Sequence, residues 1–124
     1  MTMAYFCVVF SIFIPLFCAV YAKMSVKGYN NRRPREFLNS LDGKARRAHD
    51  AQLNFYEGFA PFACGVIIAH QLHAPQTSID FLASTFVMAR ILYAFFYIAD
   101  NHSARTMVWF IGLGATIALY FIGM

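Results

Sequence analysis

Polar and charged residues fall in bands along this chain, and long apolar runs lie between the bands. Residues 1–22, 58–79 and 106–124 contain no Asp, Glu, Lys or Arg, and residues 81–99 contain only Arg90. At about 1.5 Å per residue, each run is long enough for a helix to cross about 30 Å of hydrocarbon. The runs are continuous and do not alternate apolar with polar positions, which argues against barrel strands. The pattern predicts an all-α integral membrane protein built as one four-helix bundle over residues 1–124. Its transmembrane helices fall at about 2–23, 48–72, 78–100 and 105–123, with a polar loop at about 24–47. Pro15 lies inside the first helix and predicts a kink there. No Lys or Arg precedes the first run, and the run is long for a signal core, so a span is preferred to a signal peptide.

Composition agrees with the pattern. The chain is 60% hydrophobic and 13% charged, against about 25% charged in ordinary soluble domains. A soluble domain of this length has too little interior to hide so much apolar surface, and disorder or a secreted disulfide scaffold is excluded with it. Charge placement gives an orientation. Lys23, Lys27, Arg32, Arg33, Arg35, Lys44, Arg46 and Arg47, eight of the ten basic residues, lie between the first two helices. Arg105 lies in the other connection on that side, and the turn from His73 to Ser78 is uncharged. The positive-inside rule then places both charged connections in the cytoplasm and both termini outside. A basic loop beside anionic lipid accounts for the net charge of +4 without nucleic acid. Within the loop, Gly28-Tyr-Asn-Asn31 and Pro34 are turn residues, a short helix is predicted from Arg35 to Asp42, and Gly43 is a helix breaker.

Cys7, Cys18 and Cys64 are odd in number, far apart and within apolar runs, so they read as small buried hydrophobes. His70 and His73 share a helical face, but no carboxylate or thiol stands near them. They read as interfacial histidines rather than metal ligands.

The informative residues are those that are costly in lipid. A charge near a helix centre costs about 2.5–3.5 kcal/mol on insertion scales, so such residues face partners or a cavity. Asp50, Asn54, Glu57 and Pro61 step by four, three and four, and Arg90, Tyr93 and Tyr97 by three and four. Each set forms one helical stripe. Across a short turn the two stripes match in depth, which predicts a polar band where Glu57 and Arg90 neutralise each other. Two readings stay open: an ion pair that only fixes helix packing, or a site for an anionic, polar ligand. The tyrosines, Asn54 and the nearby arginines favour the site.

These residues also carry a resemblance. The stretch Arg47-Ala-His-Asp50-Ala-Gln-Leu-Asn54-Phe-Tyr-Glu57-Gly-Phe-Ala-Pro61-Phe62 resembles the helix-two signature of the MAPEG family, the membrane-associated proteins in eicosanoid and glutathione metabolism. Arg90, Tyr93 and Tyr97 resemble its helix-three pattern, and Arg105 falls where a helix-four Arg is found. Tyr29-Asn-Asn-Arg-Arg-Pro34-Arg35 ahead of Gly43 resembles the bacterial branch, which implies a bacterial inner membrane. The resemblance implies a homotrimer with glutathione bound between subunits at the cytoplasmic side. Asn54, Glu57, Arg90, Tyr93 and Tyr97 would line that pocket and Arg47 would join them in binding the tripeptide, with Arg46 or Arg47 compensating Asp50 and Lys23 or Lys27 supplying a further basic group. Glu57 would hold the glutathione amine. Arg105 would favour the thiolate, which attacks a lipophilic electrophile arriving from the bilayer. The chain departs from the family at two positions: Asp50 stands where many glutathione-using members carry Arg, and Gly58 where a Tyr often succeeds the Glu. The expectation is a glutathione-dependent transferase or peroxidase. The alternatives are a non-catalytic scaffold or lipid-binding module of the same fold and, least favoured, a proton-coupled exporter, whose first-helix Glu this chain lacks.

Overall fold

The structure, a computed structural model, describes residues 1–124 and is all-helical. In chain order the elements are α1 (Met3–Ser11), α2 (Phe13–Met24), α3 (Pro34–Asn39), α4 (Gly43–Gln71), α5 (Gln76–Ile98) and α6 (His102–Phe121). Three stretches are long and apolar enough to cross a membrane: Met3–Met24, Gln76–Ile98 and His102–Phe121. α4 is longer still, 29 residues, and carries Lys44, Arg46, Arg47, Asp50 and Glu57 in its first half.

The first span is interrupted, but not at its proline. α1 ends at Ser11 and α2 starts at Phe13, with Ile12 between them. Pro15 has no N–H for the carbonyl four residues back, that of Ser11, so its effect appears one turn earlier. The Ser11 hydroxyl donates to the Cys7 carbonyl at 2.8 Å. The break changes the neighbours of the helix: α1 packs chiefly on α5, and α2 chiefly on α4.

At its start α1 is capped by Thr2, whose hydroxyl accepts from the Tyr5 N–H at 3.2 Å and so satisfies one orphan donor of the first turn. The same hydroxyl lies 3.1 Å from His70 Nε2, while His70 Nδ1 lies 2.8 Å from the Val66 carbonyl and its ring stacks on Tyr5. His70 is thus a tie between α1 and the end of α4. Asp80 adds a second tie, accepting from the Ala4 N–H at 2.9 Å.

The core is made of small residues and one aromatic stack. Ala4, Cys7, Val66, Ala69, Ala83, Ala115 and Leu119 pack around Phe62 and Phe86, whose rings stack at 3.8 Å. Small residues let helices approach closely where lipid offers no hydrophobic drive to associate. Only 30 of 124 residues are buried, and Phe17, Phe81, Phe95, Phe110 and Phe121 are exposed, as lipid-facing residues should be.

Several boundaries differ from the sequence reading. The second long helix begins at Gly43, not near residue 48, because the polar residues 43–47 continue it beyond the apolar run. Gly43 therefore opens a helix, at φ +59°, rather than breaking one. The short loop helix runs Pro34–Asn39, with Leu38 buried against Ala22, Leu41, Ala45 and Ala48. Arg105 lies inside α6, whose first turn is capped by the Asn101 side chain accepting from the Ala104 N–H. Cys7 and Cys18 are buried, but Cys64 is exposed on the outer face of α4.

Candidate functional site

A cleft of about 160 Å³ opens between α4 and α6, with α5 as its floor. α4 contributes Asn54, Glu57, Gly58 and Pro61, α5 contributes Phe86 and Arg90, and α6 contributes Trp109, Gly112, Leu113 and Thr116. The α4 stripe read from the sequence is therefore real over Asn54, Glu57 and Pro61. The depth match also holds, since Phe62 stacks on Phe86 and their numbers sum to 148.

Arg90 organises the floor. It is 4% exposed, and its aliphatic stem passes over Gly112, where a Cβ would lie 3.8 Å from Cδ. Nη2 donates to Asn54 Oδ1 at 2.9 Å. The guanidinium carbon sits 4.3 Å from the centre of the Tyr93 ring and 5.3 Å from that of Phe55, contacts worth about 0.5–2 kcal/mol each. Nε is buried and has no hydrogen-bond partner.

Glu57 and Arg90 form no direct ion pair. The ion pairs in the structure are Arg33–Glu36 and Arg46–Asp50. Arg90 turns towards Asn54 and the rings, and Glu57 stays exposed at the rim. Pro61 has no N–H to offer the Glu57 carbonyl, so that turn of α4 carries a carboxylate and a carbonyl lacking its helical donor. The Tyr120 hydroxyl donates to the Pro61 carbonyl at 2.8 Å and fixes the cleft end away from the basic loop. The floor thus offers a cation and the α4 wall beside it a carboxylate and a carbonyl, a pairing suited to a zwitterionic group.

From Arg90 a ladder of rings and cations runs towards the basic end of the molecule. Tyr93 meets Tyr97 edge-on at 5.6 Å, and the Arg105 guanidinium carbon sits 4.2 Å from the centre of the Tyr97 ring. Arg105 lies one turn before Trp109, and Arg105, Trp109, Gly112 and Thr116 step by four, three and four along one face of α6. That places Arg105 at the basic end of the cleft. Of the residues singled out from sequence, Asn54, Glu57 and Arg90 line the cleft, whereas Tyr93, Tyr97 and Arg105 form the ladder beside it. Arg47 belongs to neither: its Nε donates to the Ile98 carbonyl at 3.2 Å, at the end of α5. Arg46 compensates Asp50 directly, Nε to Oδ1 at 3.1 Å, and Lys23 lies 5.0 Å from the Tyr29 ring. The α6 lining residues were not singled out, although their spacing was present in the sequence.

No curated protein and no solved structure matches the chain. A model of the MAPEG family matches residues 2–124, essentially the whole length. That match covers both stripes and all the apolar helices, and the chain is an integral membrane protein belonging to the MAPEG family.

Proposed function

We propose that this protein is a glutathione-dependent transferase or peroxidase acting on lipophilic electrophiles, and that Asn54, Glu57 and Arg90 hold the glutathione. The observation that carries the reading is the buried Arg90 with its free Nε, set in one cleft with the Glu57 carboxylate. An α-amino acid end presents an ammonium to Glu57 and a carboxylate to Arg90. Charge-assisted bonds of that kind are about twice as strong as neutral ones. Arg105, held by Tyr97, stabilises the thiolate at the basic end. The sulfur attacks an electrophilic carbon, a C–S bond forms, and the leaving group departs with the bonding electron pair. In the peroxidase form the thiolate attacks one peroxide oxygen: an S–O bond forms as the O–O bond breaks, the alkoxide leaves and takes a proton from water, and a second glutathione converts the sulfenic acid to glutathione disulfide and water.

In this reading α4 is a fourth transmembrane helix, the basic loop is cytoplasmic and both termini lie outside, in a bacterial inner membrane. The cleft of one chain, about 160 Å³, is below the range of about 300–1,000 Å³ usual for small-molecule sites. It suits the amino-acid end of a tripeptide. A homotrimer with the site between subunits supplies the remaining wall.

A second reading, a non-catalytic scaffold or lipid-binding module, is favoured by one observation: Asn54, Tyr93 and Phe55 already occupy much of Arg90 without any ligand. The discriminating experiment incubates purified protein with glutathione and a hydrophobic aryl halide and measures the thioether by mass spectrometry. Wild type should form it, and Arg105→Gln should lose it while keeping the same oligomeric mass in light scattering. Unchanged turnover in Arg105→Gln would remove Arg105 from the mechanism, and no thioether or peroxide reduction from wild type would favour the scaffold.

A further inference from the structure

A second opening shares no lining residue with the cleft. It is a groove of about 360 Å³ between α2, with Phe10 of α1, and the second half of α5. Its lining is entirely apolar: Phe10, Ile14, Phe17, Cys18 and Tyr21 face Ile91, Ala94 and Ile98. From Phe10 to Tyr21 it runs about 16 Å along the helix axis, close to half of the roughly 30 Å hydrocarbon thickness. It therefore has the length of one leaflet.

The groove ends at the basic side of the molecule. Ile98 lines its last turn, and the Ile98 carbonyl accepts from Arg47 Nε. Arg47 forms no ion pair, and its two Nη groups make no hydrogen bond within the chain. Its cation is fixed in place beside the groove mouth with four N–H donors unused. Tyr21, at the same end, is 40% exposed.

We propose that this groove is a binding site for one acyl chain of an anionic phospholipid, whose phosphate is held by Arg47. The apolar length sets the tail; the guanidinium donates two parallel bonds to a lipid phosphate, and its unpaired charge favours a headgroup of net negative charge. The site uses Arg47, which the cleft does not, and stands whether or not the cleft binds glutathione.

The test titrates detergent-purified protein with phosphatidylglycerol and, separately, phosphatidylcholine, and counts retained lipid by native mass spectrometry. One basic side chain near an anionic lipid corresponds to about fivefold in affinity, so phosphatidylglycerol should bind about fivefold more tightly. Arg47→Gln should abolish that preference and Arg47→Lys should keep most of it. Ala94→Phe, which fills the groove while leaving Arg47 in place, should weaken both lipids. Arg35→Gln, in the exposed loop, should change neither. Equal binding of the two lipids by wild type, or a preference that survives Arg47→Gln, overturns the proposal. So does a photo-crosslinker at Phe17 that captures a second copy of the chain instead of lipid.

Discussion

Replacing Arg90 by Met separates the structural and ligand-binding roles of the most buried charge. The variant loses the bond to Asn54, about 1.5–3 kcal/mol for a hydrogen bond from a charged group, and two ring contacts of about 0.5–2 kcal/mol each. It also removes a cation whose placement near a helix centre costs about 2.5–3.5 kcal/mol, and whose Nε is unsatisfied. Met fills much of the same space over Gly112, and Asn54, only half-buried, regains water. The opposing terms offset to within about 1–3 kcal/mol. Arg90→Met should therefore fold, with a midpoint of thermal unfolding in detergent only modestly lowered, while its response to glutathione disappears. The assay is the unfolding midpoint with and without glutathione. A variant that cannot fold would refute this reasoning and make Arg90 a structural residue first, and a full glutathione response in a folded Arg90→Met would remove it from the site.

Three further outcomes rest on particular contacts. A Cβ on Gly65 would lie 3.0 Å from Tyr120 Cε2 and 3.2 Å from Leu119 Cβ, and Tyr120 is tied to Pro61. Gly65→Ala should therefore cost about 1–3 kcal/mol of stability by overpacking, read in the unfolding midpoint. Thr2→Val removes both the cap of α1 and the contact to His70 and should cost about 1 kcal/mol, whereas Thr2→Ser should restore it. Tyr97→Leu frees the Arg105 guanidinium from its ring and should lower turnover at saturating glutathione while leaving glutathione affinity nearly unchanged. A loss confined to affinity would place Tyr97 in the binding wall instead.

Much of this architecture was written in runs of apolar residues, because the cost of leaving backbone groups unpaired in lipid enforces helices over such runs. The runs do not mark where a helix continues into water, and so α4 begins at Gly43 rather than near residue 48. Pro15 signalled a bend, but the missing bond is the one its N–H would make with Ser11, which moves the break to Ile12. The stripes of α4 and α5 were legible because charges and amides stand out against an apolar background. The α6 wall was not, since Trp109, Gly112, Leu113 and Thr116 look like ordinary span residues until a cleft is seen beside them. Equal depth correctly paired the two helices, yet it did not say which partner Arg90 takes. A long side chain reaches more than one turn, and Arg90 engages Asn54 and two rings while Glu57 stays exposed. The pairing of Arg46 with Asp50, four residues apart on one helix, was readable from spacing alone and explains how an acid is accommodated there.

Glutathione occupancy of the cleft beside Arg90 is the central claim, and the most direct measurement is thermal unfolding of the detergent-purified protein across a glutathione titration. Wild type and Glu57→Gln are compared side by side. A ligand that binds only the folded state adds about 2.7 kcal/mol at a hundredfold above its dissociation constant. The expected result is a midpoint that rises with glutathione in wild type and stays flat in Glu57→Gln. A flat wild-type midpoint at millimolar glutathione, or an equal rise in both proteins, would contradict it.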